Sequence, residues 1–428
     1  MSRCLALLPL LFAAAASAEP VVAIDAALRE RVVEWRRDLH QHPELGNQET
    51  RTAGIIAAHL RALGLEPRTG IASTGVVAVL KGGKPGPRIA LRADMDALPV
   101  VEQTGLPFAS TVKSEYRGQP VGVMHACGHD MHVAILMGVA EALAARRDEL
   151  PGEVVFVFQP AEEGPPVAGE SAGAQRMLEE GAFAANPPDA VLGLHVWAGL
   201  HTGQIGLRSG AMMASADEWT LTVTGRQTHG SQPWSGVDPI TVGAQILLGT
   251  QSIVARQVDI VRSPVVLTAG QFQAGVRFNI IPDSATLVGT LRTYDAALRE
   301  DVIRRFRSTA EHFATAAGAS AQLEVVNNAP ALINDAALYR RLRPSLERAV
   351  GAGNVVEMAP ITAAEDFSRF ADAWGGLFFF VGTTPPGQDP ATMPINHSPF
   401  YAPDEAALEV GVRALLQATL DFLQGSAG

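Results

Sequence analysis

The chain has 428 residues, 47% of them hydrophobic and 18% charged, a balance that supplies apolar material for more than one core and excludes disorder and small disulfide-stapled scaffolds. Its formal net charge of −11, with no run of lysine or arginine, excludes a nucleic-acid partner and an anionic membrane surface. Two cysteines are present, Cys4 and Cys127.

In chain order, residues 1–18 read as a secretory signal peptide: Arg3, the apolar stretch Leu5 to Ala16, then the small-residue cleavage signal Ala16-Ser17-Ala18. The expected product is exported, periplasmic or secreted, and carries no membrane anchor after cleavage. Cys4 leaves with the leader, so Cys127 is expected to stand alone in an oxidising compartment, where an unpaired thiol must be buried, reactive or bound.

Ile24 to Leu63 has helical periodicity broken at His42-Pro43 and stopped by Gly64. Val76–Leu80, Arg88–Leu91, Val154–Phe158 and Ala190–Leu194 are short apolar runs that read as strands, with a helix over Val133–Ala145 between them. This alternation predicts a mostly parallel α/β sheet whose functional residues lie beyond the carboxyl ends of its strands. From Ser209 the texture changes, with cleanly alternating Trp219–Thr224, a helix over Asp238–Arg256, strands at Val265–Gln273 and Ala285–Thr293, a helix over Ala296–Ala317 and a strand at Ala321–Val326. That β-α-β-β-α-β order is a ferredoxin-like α+β unit. A strand at Leu377–Val381 and a helix over Asp404–Leu423 complete the chain. The predicted fold is therefore α/β with two domains: a mostly parallel-sheet core of residues 19–208 and 329–428, and an inserted ferredoxin-like lid of residues 209–328.

Five segments carry metal-ligand residue types at strand ends or in Gly/Pro-rich loops: His125-Ala-Cys127-Gly-His129-Asp130, Gln159-Pro-Ala-Glu162-Glu163-Gly164, Gly193-Leu-His195, Ala364-Glu365-Asp366-Phe367 and Asn396-His397-Ser-Pro399. Thiolate, imidazole and carboxylate together suit zinc and also admit manganese, cobalt or nickel. Glu162 and Glu163, read as extended chain, point to opposite sides. One then binds metal while its neighbour serves as general base toward an activated water. Taken singly, His195 or His397 is more often a structural histidine than a ligand; Glu179-Glu180 reads as a solvated face, and His40, His42, His59, His201 and His312 as structural. Trp234 either walls a pocket or packs the lid helix.

Together with Arg36-Arg-Asp-Leu-His40, His42-Pro-Glu44, Leu91-Arg-Ala-Asp-Met-Asp-Ala-Leu-Pro99, Thr228-His-Gly-Ser231, Gly236-Val-Asp-Pro239 and Asn279-Ile-Ile-Pro282, these segments resemble the M20 metallopeptidases in family order from residue 36 to 399. Within that family the resemblance is to the amidohydrolase branch of hippurate, auxin-conjugate and N-acyl-amino-acid hydrolases. It implies two divalent cations held by Cys127, His129, Glu163, His195 and His397, with the thiolate bridging, and Glu162 as general base. It implies that His229 is the lid histidine, which in dimeric members reaches the partner's site, so a homodimer or higher oligomer through the lid is expected. Asn279 and Arg292 are candidates for gripping a substrate carboxylate, and Asp94, Asp96 and Asp130 for holding ligand histidines. The implied reaction cleaves the amide of an N-acyl amino acid or a similar small conjugate. The alternatives are a carboxypeptidase or dipeptidase of the same family and, from a different class, an inactive periplasmic binding protein, against which the retention of Glu162 with every ligand candidate speaks. A signal peptide is not general in the family, and Gly225-Arg-Gln-Thr-His229 departs from members with a small residue beside the lid histidine.

Overall fold

The structure is a computed structural model that describes residues 23–165, 167, 170, 172–183 and 186–425. The leader with Cys4 lies outside the described residues.

Four parallel strands form the centre of an eight-stranded sheet: Pro151–Gln159, Lys84–Asp94, Ala190–His201 and Gly376–Thr384, side by side in that order. Antiparallel neighbours extend it on both flanks, Gly75–Lys81 and Arg68–Ile71 on one and Ile205–Leu207 on the other, where Val355–Glu357 then adds parallel. Each central strand is buried on both faces, as parallel strands under helices are. Along Pro151–Gln159, Val154, Phe156 and Phe158 face one core, shared with helices Ala26–Gln41, His129–Ala144 and Ala406–Gln424, while Val155 and Val157 face a second, shared with Phe367, Phe370 and Met177. That two-sided apolar pattern fixes the register, since a one-residue slip would exchange the two faces.

A four-stranded antiparallel sheet spans Ala216 to Ala329, with strands in the order Val265–Ala274, Ser284–Thr293, Ala216–Thr224 and Ser320–Ala329. Helices Pro239–Gln257 and Ala296–Ala316 cover one face, and Trp219, Leu221 and Val223 pack there against Ile246, Ile253 and Phe306. The intervening Thr220 and Thr222 are half-buried and Thr224 is exposed, the wet face that the alternation predicted. The chain enters and leaves this unit through a two-stranded antiparallel ribbon, Gly210–Met213 against Leu332–Asn334. Helices Ala336–Val350 and Ser368–Trp374, which the sequence pattern did not reveal, lie in the return segment.

Candidate metal centre

The carboxyl ends of the central strands converge on one spot. Cys127 precedes helix His129–Ala144, and Gly128 between them takes φ +99°, a left-handed turn that aims the thiol and the His129 ring the same way. Glu162 and Glu163 occupy a turn just after strand Pro151–Gln159 rather than extended chain, and Ala161 before them takes φ +50°. One oxygen of each carboxylate and a His129 ring nitrogen lie within 4.8 Å of one another, so the turn brings the two side chains to one place, which corrects the extended-chain expectation that they point to opposite sides. His195 sits in the middle of strand Ala190–His201, which continues past the expected end at Leu194. His397 adopts φ +73°, uncommon for a non-glycine residue. Its N–H donates to Ala126 O at 2.8 Å, and the Asn396 side chain donates to Cys127 O at 2.8 Å, clamping this loop to the Cys127 turn.

The donor atoms of Cys127, His129 and His195 all lie within 4.8 Å of one another, as do those of Cys127, Glu163 and His397. Cys127 is common to both groups: its Sγ is 3.2 Å from His195 Nε2 and 3.2 Å from His397 Nε2. His397 Nε2 is 3.0 Å from Glu163 Oε1. Neighbouring hydrogen bonds set the ring tautomers. His195 Nδ1–H donates to Val196 O at 2.7 Å, and His129 Nδ1–H to Asp96 Oδ1 at 3.2 Å, which leaves both Nε2 lone pairs facing inward. Buried His129 Nε2 has no hydrogen-bond partner among the described residues. An orphaned imidazole lone pair, a thiol and a carboxylate around a common point fit divalent cations by donor chemistry.

The electrostatics agree. Burial, then the charges of Glu163, Glu162 and Asp94, hold the Cys127 thiol well above its ordinary pKa, so a thiolate here requires added positive charge. Burial alone would lower His129, but Asp94, Asp96 and Glu163 outweigh it and raise the ring to about 10, so a cation held at Nε2 would take the place of that nitrogen's proton. Burial raises Glu163, yet His397 and His129 bring it below its ordinary value. Glu162 moves the other way, held well up by burial and by the charges of Glu365, Glu163 and Asp366.

Of the expected supporting carboxylates, Asp96 holds His129 and also accepts the Glu163 N–H at 2.9 Å. Asp130 instead pairs with His40 at 2.8 Å and Arg36 at 2.9 Å, neither of them a ligand candidate. Asp94 binds His132, which the sequence pattern did not single out; His132 Nε2 accepts the Val196 N–H at 2.9 Å and so fixes the strand beside His195. With both nitrogens so engaged, His132 offers no lone pair, although it lies near His129 and Asp94. Its position one helical turn after His129 was the available signal.

The site opens into a cavity of about 990 Å³ that runs to the inserted domain, lined by Glu162, Glu163, Trp197, Phe380, Arg369 and Arg292. Arg292 lines it from the end of strand Ser284–Thr293. His229 and Asn279 do not line this cavity; they adjoin each other, with Gly230 N–H donating to Asn279 O at 2.8 Å, and His229 is exposed. Trp234 is 79% exposed and does neither of the things expected of it.

The family model for peptidase family M20/M25/M40 matches residues 90–421. N-acetylcysteine deacetylase of Bacillus subtilis (strain 168) is 38% identical over 391 residues, covering 90% of this chain and 95% of that protein. Thermostable carboxypeptidase 1 of Saccharolobus solfataricus is 36% identical over 389 residues, covering 90% and 94%. Among solved structures, the Bacillus subtilis YXEP protein, a dinuclear metal binding peptidase from the M20 family, superposes with a TM-score of 0.76 at 35% identity, covering 94% of this chain and 99% of that one. The chain belongs to peptidase family M20/M25/M40 and is a metal-dependent hydrolase of amide bonds with a site for two divalent cations.

Proposed function

We propose that the substrates are N-acyl amino acids or similar small conjugates, and that Cys127, His129, Glu163, His195 and His397 would hold the two cations, Cys127 belonging to both donor groups. The observation that carries this reading is the pair of donor groups sharing Cys127, with Glu162 beside them at the mouth of a cavity that has Arg292 on its lid side. The deacetylase and carboxypeptidase relatives both name reactions beside a free carboxylate, which supports the substrate class.

Divalent cations, when bound, polarise the scissile carbonyl and lower the pKa of water toward about 7. Glu162 takes the proton from the attacking water and returns it to the amide nitrogen as the C–N bond breaks. The Asp366 backbone N–H, 3.4 Å from Glu162 Oε1, holds that carboxylate beside the site. Arg292 anchors the free carboxylate of the substrate from the lid side of the cavity. Trp197 and Phe380 form the apolar wall for the acyl group.

The stabiliser of the developing oxyanion is His229 of a second copy of the chain. His229 Nδ1 accepts the Ser231 N–H at 3.1 Å, so its neutral ring carries the proton on Nε2 and presents a donor. Export by the 1–18 leader is part of the same proposal, supported by the Arg3, Leu5–Ala16 and Ala16-Ser17-Ala18 pattern. Recovery of the exported protein with its leader intact would remove that part.

Glu162→Gln is expected to lower kcat at least about 100-fold, the usual worth of a general base, while metal analysis still finds two cations per chain. Activity within about threefold of wild type, by the usual arithmetic of mutant kinetics, would sink the assignment. A panel of N-acetyl, N-benzoyl and long-chain N-acyl amino acids beside dipeptides, each run with zinc, manganese, cobalt or nickel, fixes the acyl group and the metal. Preference for dipeptides over every N-acyl substrate would favour the carboxypeptidase or dipeptidase reading.

A further inference from the structure

Behind Glu162 lies a buried knot of charge that takes no direct part in the chemistry. The Arg92 guanidinium, fully buried, donates from Nε to Gln159 Oε1 at 2.9 Å, from Nη1 to Asp94 Oδ2 at 2.6 Å, and from Nη2 to Glu365 Oε1 at 2.8 Å and Asp366 Oδ1 at 3.0 Å. One side chain therefore ties three separate segments that present the site. Asp94 carries His132 and through it the His195 strand, Gln159 is the last residue of the strand before the Glu162 turn, and the Glu365–Asp366 turn lies against Glu162 itself.

The carboxylate oxygens of Glu162, Glu365 and Asp366 lie within 4.8 Å of one another. Carboxylates so close repel one another when ionised, and more strongly in a buried site than in water. Asp366 is saturated: besides Arg92 it accepts from Gln159 Nε2 at 2.7 Å and from the Ala174 N–H at 2.7 Å. Glu365 Oε1 takes the Phe367 N–H at 2.9 Å as well as Arg92. With both side chains turned toward Arg92, the Asp366 backbone N–H is left for Glu162.

We propose that Arg92 is a positioning residue for the reaction: by holding Glu365 and Asp366 on its fork it keeps the Glu162 carboxylate at its working place between those two acids and the metal centre. This rests on the reading of Glu162 as general base. Arg92 touches neither substrate nor cation, and lysine, with a point charge in place of a planar fork, cannot serve the four acceptors at once.

The test is a set of purified, metal-loaded variants: Glu162→Gln, Arg92→Met, Arg92→Lys, Arg92→Met with Glu365→Gln, and Arg92→Met with Glu162→Gln, each read for kcat, KM, bound metal and thermal unfolding. Arg92→Met is expected to lose about 100-fold in kcat, comparable to loss of the base, with KM within about threefold and two cations retained. Arg92→Lys falls between it and wild type. Adding Glu365→Gln, which removes one of the repelling charges, restores at least about tenfold of the loss. In the Glu162→Gln background, Arg92→Met costs less than about threefold, because groups acting as one unit do not add. A merely structural role predicts instead that the losses multiply in that double variant, that Glu365→Gln restores nothing, and that kcat tracks unfolding; any of these overturns the proposal. If Arg92→Met does not fold, Arg92→Lys takes its place in both double variants, and the same outcomes support or overturn the proposal. If Glu162→Gln stays active, the base reading fails; if it is inactive while Arg92→Met and Arg92→Lys keep wild-type kcat, the base reading stands and the positioning role falls.

Discussion

Asp96 shows how much a single side chain does at this centre. Its two oxygens face different ligand candidates, Oδ1 toward His129 Nδ1 at 3.2 Å and Oδ2 toward the Glu163 N–H at 2.9 Å, so it sets a ring tautomer and the position of a turn together. Asparagine in its place keeps one acceptor and points an NH2 at one of two donors, His129 Nδ1–H or Glu163 N–H. The expected result of Asp96→Asn is a loss of about 10- to 100-fold in metal affinity, the usual worth of a group that orients a ligand histidine. Titration against a competing chelator measures it; an unchanged affinity would show that the imidazole is oriented by something else. The buried thiol follows the same logic. Cys127 is expected to be unpaired in an oxidising compartment, and it lies where burial and then neighbouring carboxylates raise its pKa and bound cations would lower it, which suits it to metal ligation and makes it a poor partner for disulfide exchange.

At the scale of elements, the turn Cys127-Gly128-His129 sets the direction of two donors. Gly128 has φ +99°, and a Cβ there would stand 2.4 Å from Val196 Cγ2, so alanine meets both backbone strain and a clash. Gly128→Ala is expected to cost about 1–3 kcal/mol of stability, with a lower melting temperature. Because the strain falls between two ligand candidates, the gain in melting temperature on adding metal should shrink too; a variant that melts early but gains fully from metal would place the turn outside the centre. This turn was partly legible in the sequence, since a glycine between Cys and His at that spacing implied a tight bend. Elements with strong periodicity, such as Trp219–Thr224 or Ala296–Ala316, were legible outright because one face of each is buried and the other wet. The return helix Ala336–Val350 was not, as Pro344 inside it and the neighbouring Arg340, Arg341 and Arg343 mask the periodicity of Leu342, Leu346 and Ala349. The turn at Glu162 was hidden for another reason: its shape depends on Ala161 at φ +50°, whose N–H is held by Glu49 at 2.8 Å across 112 residues, a long-range contact that local pattern does not carry.

Across the whole molecule, the centre and the lid residues meet only in part. Arg292 reaches the cavity, while His229 and Asn279 sit together elsewhere on the inserted domain, and His229 is exposed with its Nε2–H directed away from its Ser231 contact. The same domain carries exposed apolar side chains, with Leu248 at 74%, Val261 at 93% and Phe278 at 95%, and a ten-residue outer strand, Val265–Ala274, with one unpaired edge. Long unpaired edges and large exposed apolar side chains are what monomers limit. A twofold pairing of lids would cover this surface and carry His229 toward the other copy's cavity, which turns a surface liability and an incomplete site into one arrangement. Light scattering is then expected to give twice the chain mass. Leu248→Asp with Phe278→Asp should yield a folded monomer that still binds two cations and has lost at least about 100-fold in kcat, as when an oxyanion donor is removed. Mixing inactive Glu162→Gln chains with inactive His229→Ala chains supplies the decisive arm. If the histidine acts across the dimer, heterodimers contain one site with both Glu162 and His229, and up to about a quarter of wild-type activity returns by random pairing of equal amounts. A fully active monomer, or a mixture as inactive as its parts, would return His229 to a role within its own chain or to none.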